Sequence, residues 1–366
     1  MKILMIEDNF DTIEGLIDAI VEREWDQKTA SFEDAENMIY SFDPDVVVMD
    51  WMYDAEDADK GAPILENIVG KEFRPVIVFS AHDLSNILED KIKEYPLINF
   101  TRKGGDDSEL ANTIDEWKEP AIAISNMRHS MNNALIESAR ALTTFQAMDT
   151  FPNRSIVSYM LSRRAMQYFE NAEVSELPPA WIQYLYPPIN DYMLVCDIVR
   201  KYSEDTNQNV LGLPQEYFVI LTPSCDMVNH SGDQFKVLVA HCCGKERFSD
   251  QRLGESSIDS SSGIKKVDRV KSELQYGYNK SLVALPELPN ILPYMTINLK
   301  DLDYVLISEI SNSRDSFNMG IHKYYRVASI ASPFREQIVW AHMINSCRPG
   351  MPERDTESWA KGILIE

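Results

Sequence analysis

Three short apolar runs in the first hundred residues each end in a polar residue, and they constrain the fold more than any other feature of the chain. The runs and the residues that follow them are Ile3–Ile6 with Glu7 and Asp8, Val46–Met49 with Asp50, and Val76–Phe79 with Ser80. A weaker run, Leu97–Phe100, comes shortly before Lys103. Continuous apolar runs separated by amphipathic stretches are typical of buried strands in a parallel sheet with crossover helices.

The amphipathic stretches between these runs predict five helices. They cover a segment that starts at Asp11, then Phe32–Tyr40, Ala62–Val69, Asn86–Tyr95 and Asp107–Trp117. Pro120 is expected to end the fifth helix because proline lacks the amide hydrogen that a helix interior needs. A weaker second strand is expected around Lys28–Ser31. Five strands that alternate with five helices in residues 1–120 predict a doubly wound α/β domain.

The polar residues after the strands suit the acceptance of a phosphoryl group. Loops that leave the carboxyl ends of parallel strands gather at one edge of the sheet, so these side chains are expected to meet there. Asp50 can accept a phosphoryl group as an acyl phosphate if a divalent cation screens the repulsion between the two anions. Mg²⁺ favours carboxylates, phosphate oxygens and water. Its expected ligands are Glu7, Asp8, Asp50 and the backbone carbonyl of Met52.

Ser80 and Lys103 supply the other two groups that such a site needs. A hydroxyl donates a hydrogen bond to the phosphoryl group, and an ammonium neutralises its charge. Counted from Asp8, the residues Asp50, Ser80 and Lys103 follow at spacings of 42, 30 and 23 residues. With Glu7 beside Asp8, this pattern resembles the receiver domain of two-component response regulators. The resemblance covers residues 1–120, about a third of the chain.

The resemblance implies a flavodoxin-like sheet and phosphorylation of Asp50 by a partner histidine kinase or phosphotransfer protein. It also places Phe100 at the aromatic switch position of the family. Phosphorylation would then draw Ser80 towards the phosphoryl group, turn Phe100 inward and change the surface around the fourth helix, fifth strand and fifth helix. One departure is Gly104-Gly105 after Lys103, where the family usually has proline, so the lysine loop is expected to be looser.

Charge is unevenly distributed between this region and the rest of the chain. Residues 1–120 contain 11 Lys and Arg against 30 Asp and Glu, whereas the remaining 246 residues contain 24 against 28. The acidic region would repel a phosphate backbone, and the chain has no helix-turn-helix motif, so DNA is not an expected partner. No apolar run is long enough for a membrane span. Five cysteines without paired spacing suit a reducing cytoplasm.

The remaining residues predict two further regions. Residues 121–177 are expected to form a helical linker or dimerisation region, with one helix to about Met148 and another over Ser155–Asn171. A signalling helix that forms a homodimer and a helix packed on its own output domain both fit this pattern. Residues 178–366 predict an α+β, β-rich output domain. Its expected strands are Tyr217–Leu221, Phe235–His241, Leu282–Leu285, Tyr304–Ile310 and Tyr324–Ile330.

Several residues of the output region could carry chemistry, but no motif unites them. Cys225 beside Asp226 could be a nucleophile with His230 or His241 as its base, or a structural cysteine at a turn. A zinc site could also be supplied by the cysteines and histidines of this region, which are Cys225, His230, His241, Cys242, Cys243 and Cys347. They lack paired metal-ligand spacing, and adjacent cysteines on a strand point to opposite faces.

The sequence therefore predicts a cytoplasmic response regulator that is phosphorylated on Asp50 and switches an atypical output module. Two alternatives stay open. The output region could be an enzyme that the receiver regulates, with its active site near Cys225 and His241. The chain could also be a binding protein or phosphate sink in a signalling pathway, such as one for phage defence.

Overall fold

The computed structural model describes residues 1–51, 60–81, 95–104, 107–145, 154–170, 177–203, 211–229, 234–254, 259–278, 280–347 and 355–364. The chain divides into two compact units, residues 1–173 and 174–366. None of the helices in the described ranges has the length and apolar character that a membrane span requires.

The first unit is built around a five-stranded sheet in which each strand is parallel to its neighbours. The strands follow the order β2-β1-β3-β4-β5. They are β1 (Lys2–Ile6), β2 (Asp26–Ala30), β3 (Val46–Met49), β4 (Val76–Ser80) and β5 (Ile98–Arg102). This flavodoxin-like arrangement confirms the predicted fold class.

Both faces of this sheet are buried, which explains why its strands are unbroken apolar runs. Alternate residues of β1 serve the two faces. Leu4 and Ile6 pack towards α2 and α3, whereas Ile3 and Met5 pack towards α1 and the first part of α4. The helices are α1 (Glu14–Glu22), α2 (Ala35–Phe42), α3 (Gly61–Lys71) and α4 (Asp107–Phe145). The predicted helix over Asn86–Tyr95 lies almost wholly outside the described residues.

Helix α4 does not end at Pro120, so that prediction is wrong. The helix continues to Phe145. A proline in a helix interior removes one backbone hydrogen bond and costs about 3 kcal/mol. Packing on both sides offsets this cost, because Leu110 and Ile114 are fully buried before the proline and Ala121 is fully buried directly after it. A further helix, α5 (Arg154–Glu170), packs against α4.

The second unit contains an eight-stranded, mainly antiparallel sheet. The order is β10-β11-β9-β8-β7-β13-β12, and β6 also pairs with β13. The strands are β6 (Tyr184–Leu185), β7 (Asp197–Lys201), β8 (Tyr217–Ile220), β9 (Lys236–Gly244), β10 (Leu282–Leu285), β11 (Met295–Leu306), β12 (Ile310–Ser311) and β13 (Tyr324–Ile330). The predicted α+β, β-rich class is confirmed.

Five helices accompany this sheet in the described part of the second unit. They are α6 (Ser224–Asn229), α7 (Lys245–Leu253), α8 (Ser261–Tyr276), α9 (Phe334–Ser346) and α10 (Thr356–Leu364). Ile338 and Ala341 anchor α9 in the main apolar core of this unit. In contrast, no residue of α10 is buried.

Strand β7 lies within this sheet between β8 and β13, although the sequence does not predict it. It contains Asp197, which is fully buried. The Asp197 carboxylate lies 3.2 Å from the Arg326 guanidinium and accepts a hydrogen bond from the Ser329 hydroxyl at 2.6 Å. It also accepts one from the Leu194 amide at 2.8 Å. Charged residues therefore occupy the interior of this unit in paired form.

Candidate functional site

The carboxyl edge of the parallel sheet holds five of the predicted site residues, which are Glu7, Asp8, Asp50, Ser80 and Lys103. Backbone hydrogen bonds extend the sheet by one residue beyond the strands. Glu7 donates its amide hydrogen to Ala30, and Asp50 donates to Ile6, both at 2.9 Å. Lys103 donates to Ser80, also at 2.9 Å. Because the sheet itself fixes these backbones, their side chains leave from one edge, as the sequence predicts.

The Lys103 ammonium joins two of the predicted acidic residues. Its Nζ atom lies 3.0 Å from Asp50 Oδ2 and forms a close ion pair with Glu7. It also donates to the Thr12 hydroxyl at 3.4 Å. All three charged side chains are largely buried, with exposed fractions of 12% for Lys103, 6% for Glu7 and 16% for Asp50. Two carboxylates and one ammonium thus share a partly desolvated site, where their interactions are stronger than in water.

The backbone of Trp51 connects Asp50 with Ser80. Its amide donates to Asp50 Oδ1 at 2.7 Å, and its carbonyl accepts from the Ser80 hydroxyl at 3.3 Å. Ser80 is fully buried at the end of β4. Asp50 and the Ser80 hydroxyl are therefore hydrogen-bonded to the same residue, Trp51.

Trp51 is a site component that the sequence reasoning missed. Its indole is 2% exposed and packs against Gly61, the first residue of α3. A Cβ atom on Gly61 would lie 2.8 Å from the indole ring. Glycine at this position thus leaves room for the buried Trp51 indole against the start of α3. The sequence signal for this contact is Gly61, a glycine at the start of a helix that follows Trp51 in the chain.

Asp8 has a different partner from the other two acids. Its Oδ1 accepts a hydrogen bond from the Phe32 amide at 3.0 Å, which ties the end of β1 to the segment after β2. In the described residues, no ion pair joins Asp8 to Lys103, and no three His, Cys, Asp or Glu side chains are already arranged around a metal position. Glu7 and Asp50 nevertheless provide adjacent carboxylates, which are suitable donors for Mg²⁺. Met52 lies outside the described residues.

Phe100 lies on β5 beside Val78 of β4. Its side chain is partly buried and packs against the apolar core on the α2 and α3 side of the sheet. Gly104 follows Lys103 with a φ angle of +87°, a conformation that glycine adopts without steric cost. The lysine loop therefore turns at the first of the two glycines that stand where the receiver family usually has proline.

A second charged cluster lies at the opposite edge of the same sheet. Asp43 accepts hydrogen bonds from Arg74 at 2.8 Å and from Arg128 of α4 at 2.9 Å, and it lies 3.1 Å from His129. Arg128 also contacts the Pro44 carbonyl at 3.3 Å. Burial alone would raise the pKa of Asp43, but hydrogen bonds from Arg74 and Arg128 lower it below its ordinary value. This cluster joins the extension of α4 to the loops that precede β3 and β4.

The candidates that the structure describes in the second unit are not gathered into one site. Cys225 is exposed and lies 3.5 Å from the carboxylate of its neighbour Asp226. The His241 ring packs at an angle on Phe218, with ring centroids 4.7 Å apart. Cys242 is buried, and this burial raises the pKa of its thiol. His230 lies outside the described residues. Within them, no three His, Cys, Asp or Glu side chains form a group that could hold a metal ion.

A cavity of about 330 Å³ opens on the sheet of the second unit. Tyr325, Arg200 and Tyr217 are neighbours across β13, β7 and β8, and all three line it. Arg200 is 5% exposed and forms an ion pair with Glu216 at 2.8 Å. The size is within the range of small-molecule sites. The charge of Arg200, one of the charged residues that line the cavity, is therefore balanced by Glu216.

Several receiver domains of known structure are similar to the first third of the chain. A response regulator from Desulfuromonas acetoxidans is 14% identical, with 32% of this chain and 96% of that chain covered and a TM-score of 0.28. The receiver domain of a Francisella response regulator is 21% identical, with coverages of 35% and 98% and a TM-score of 0.27.

The N-terminal domain of an uncharacterized protein from Wolinella succinogenes is 25% identical, with coverages of 34% and 98% and a TM-score of 0.28. No protein-family model and no curated protein matches the chain. The first third of the chain is thus similar to response-regulator receiver domains, and the sheet order β2-β1-β3-β4-β5 independently has the flavodoxin-like form.

Proposed function

We propose that the protein is a response regulator that accepts a phosphoryl group on Asp50 from a partner histidine kinase or phosphotransfer protein. The observation that carries this proposal is the pairing of Lys103 with both Asp50 and Glu7 at the carboxyl edge of the sheet. The site thus combines an acceptor carboxylate, Asp50, with a second carboxylate, Glu7, and a compensating positive charge, Lys103.

Phosphoryl transfer in this site requires Asp50 to act as the nucleophile. One carboxylate oxygen of Asp50 attacks the phosphorus atom, and the bond from phosphorus to the donor, such as the nitrogen of a phosphohistidine, breaks. The Lys103 ammonium, 3.0 Å from Asp50 Oδ2, is placed to compensate the charge that the phosphoryl group brings. Ser80 exchanges its hydrogen bond to Trp51 for one to a phosphoryl oxygen.

Mg²⁺ fits the donor chemistry of this edge. Glu7, Asp8, Asp50 and the Met52 carbonyl are the residues that would hold it, and it would screen the repulsion between Asp50 and the incoming phosphoryl group. Lys103 binds Glu7 and Asp50 in the described site. With Glu7 and Asp50 holding the cation, the Lys103 ammonium would be available to the phosphoryl oxygens.

The output of the switch belongs to the second unit, which we propose to be an atypical interaction module. We place the protein in the cytoplasm, because all five cysteines are free thiols, as expected in a reducing compartment. Phosphorylation is expected to act through Ser80 and Phe100 on the surface of the receiver unit. The changed surface is then expected to alter how the receiver unit binds the rest of the chain or a partner.

The test is phosphorylation of the full chain by acetyl phosphate with MgCl₂, followed on phosphate-affinity gels. The wild type is expected to give a shifted band that EDTA prevents, and Asp50→Asn to give none. Asp18→Asn is the matched control, because Asp18 is an exposed acid on α1. Lys103→Ala should slow the reaction about 10²-fold through the loss of one charged group. A shift that persists in Asp50→Asn would show that another residue accepts the phosphoryl group.

A further inference from the structure

The cavity on the sheet of the second unit has a polar floor, which consists of Tyr325, Arg200 and Tyr217. These neighbours on β13, β7 and β8 are 4%, 5% and 1% exposed. Elsewhere the same strands bury apolar side chains such as Ile198 and Val219. Burial of a polar or charged group costs free energy that burial of an apolar residue does not. A polar floor under a space of about 330 Å³ is therefore typical of a ligand site rather than of a core. We refer to this space as the Arg200 cavity.

Two buried hydroxyls make the floor a source of hydrogen-bond donors. The Tyr217 hydroxyl accepts a hydrogen bond from the Gly212 amide at 3.1 Å. The Tyr325 hydroxyl is hydrogen-bonded to Arg200, and it accepts there because a guanidinium can only donate. Each hydroxyl that accepts in this way keeps its own hydrogen for a further acceptor. The floor is therefore suited to a ligand with acceptor oxygens.

The charged groups that line the cavity are mainly cations. In the described part of the chain, three guanidinium groups and one carboxylate line it, and they belong to Arg200, Arg314, Arg326 and Asp315. The acids that pair with two of these arginines, Glu216 and Asp197, do not line it. A ligand thus meets the guanidinium groups rather than the acids that balance them. Burial raises the pKa of Tyr325, and the positive charges of Arg200 and Arg314 oppose that rise, which places both cations near its hydroxyl.

An apolar wall completes the cavity. It is formed by side chains from four separate segments of the chain, which are Pro187, Pro188, Leu211, Ile291 and Val327. Tyr186 also lines the cavity and is 52% exposed. Proline side chains lose no rotamer freedom when they are covered, and tyrosine offers a flat aromatic face, so this wall favours a planar ring. The cavity therefore combines a floor that binds acceptor oxygens with a wall that binds a ring.

We propose that the Arg200 cavity binds a small molecule in which a planar ring carries a carboxylate or phosphate group. The anionic group would accept hydrogen bonds from Arg200 and from the two tyrosine hydroxyls, and charge-assisted bonds of this kind are strong. The ring would pack against the prolines. A nucleoside monophosphate and an aromatic carboxylate share this chemistry. The second unit would then bind its ligand whether or not Asp50 is phosphorylated.

The first experiment measures ligand binding to the full chain by isothermal titration calorimetry. The probes are AMP, GMP, CMP and UMP for the phosphate source and 4-hydroxybenzoate for the carboxylate source. We expect at least one probe to bind, and its anionic group identifies the source. The same ring without the anion, and inorganic phosphate or acetate without the ring, should bind about tenfold more weakly or less. If no probe binds at millimolar concentration, or if the uncharged ring binds equally well, the proposal is overturned.

The second experiment tests whether the probe that binds occupies this cavity. Tyr325→Phe removes only a hydroxyl, and Arg314→Gln removes the charge of an exposed side chain, so both variants are expected to fold. Each should raise the Kd of that probe about tenfold through the loss of one hydrogen bond or charge. Arg269→Gln is the matched control, because Arg269 is an exposed arginine on α8 outside the cavity. Binding that neither variant weakens would place the ligand elsewhere and overturn the proposal.

Two further measurements separate this result from folding and from phosphorylation. Circular dichroism checks that each variant is folded. Asp50→Asn is expected to bind the probe with the wild-type Kd, because the cavity belongs to the second unit. Failure of ligand binding and failure of phosphorylation can therefore be recognised independently.

Discussion

The two units place charged residues in opposite ways. In the first unit, the acids and the lysine lie just beyond the strands, at an edge where Lys103 joins Glu7 and Asp50. In the second unit, charged residues lie within the strands themselves, as Asp197 in β7 pairs with Arg326 in β13. A parallel sheet collects the ends of its strands at one edge, whereas an antiparallel sheet distributes them between two edges.

This difference decides what a charge in each unit can do. The charged side chains at the edge of the first unit keep some exposure, with 12% for Lys103 and 16% for Asp50. A charge in the sheet of the second unit is committed to a fixed partner, because an unpaired buried charge is strongly destabilising. The comparison therefore predicts loss of function from changes at the first site and loss of stability from changes at the second.

The largest expected effect comes from Asp197→Ala in the second unit. The substitution leaves the buried Arg326 guanidinium without its carboxylate, which costs about 3–5 kcal/mol. Urea denaturation followed by circular dichroism measures the loss, and Asp301→Ala on the exposed part of β11 is the control. If Asp197→Ala were as stable as the control, the buried charges of this unit would not be structural, and the contrast between the units would fail.

A smaller effect is expected from Gly61→Ala in the first unit. The new methyl group would lie 2.8 Å from the Trp51 indole, so we expect a loss of about 1–3 kcal/mol from overpacking. Gly70→Ala in the same helix meets no atom within 4 Å, and it should instead stabilise the unit by about 0.5–1 kcal/mol. Denaturation monitored by tryptophan fluorescence distinguishes the two. Equal effects from both substitutions would contradict tight packing of α3 against the Trp51 indole.

The smallest effect concerns Asp43→Asn, which removes the charge from the cluster around α4. We expect a loss of about 1 kcal/mol at neutral pH, because Asp43 is partly exposed and asparagine retains one oxygen acceptor. Hydrogen bonds from Arg74 and Arg128 hold the pKa of Asp43 below its ordinary value of 3.8, against the effect of burial. The stabilisation is therefore present above that value and disappears as the pH falls through the folded-state pKa.

Thermal unfolding of the first unit between pH 3 and pH 7 measures this dependence. The difference between wild type and Asp43→Asn should decrease as the pH falls through the folded-state pKa of Asp43. A difference that increases in acid would mean that the carboxylate is less stable in the folded protein than in the unfolded chain. That result would show that the ionised Asp43 carboxylate does not stabilise the attachment of α4.

The flavodoxin-like fold could be predicted from the sequence because its signals lie close together along the chain. Each strand is an apolar run, and its site residue follows directly along the chain. The relation between Asp50 and Lys103 could also be inferred, since strand ends in such a sheet converge. The separate attachment of Asp8 to the Phe32 amide could not be inferred, because it depends on the path of the chain after β2.

Other features depend on contacts between residues that are far apart in sequence. Strand β7 escaped prediction because three of its five residues, Asp197, Arg200 and Lys201, are charged. The partner of Asp197 is Arg326, and a single sequence gives no sign that the two meet. The same reason explains the error at Pro120. Local preference ends the helix there, but contacts such as that between Arg128 and Asp43 favour its continuation.

The length of α4 has a mechanical consequence. The helix begins four residues after Lys103 and is 39 residues long, which corresponds to a rod of about 58 Å at 1.5 Å per residue. If it pivots as one body, a tilt of about 5° near its first turns displaces its far end by about 5 Å, a distance close to one helical turn. Such a rod would act as a lever arm that converts a small rearrangement beside the lysine loop into a much larger displacement at Phe145.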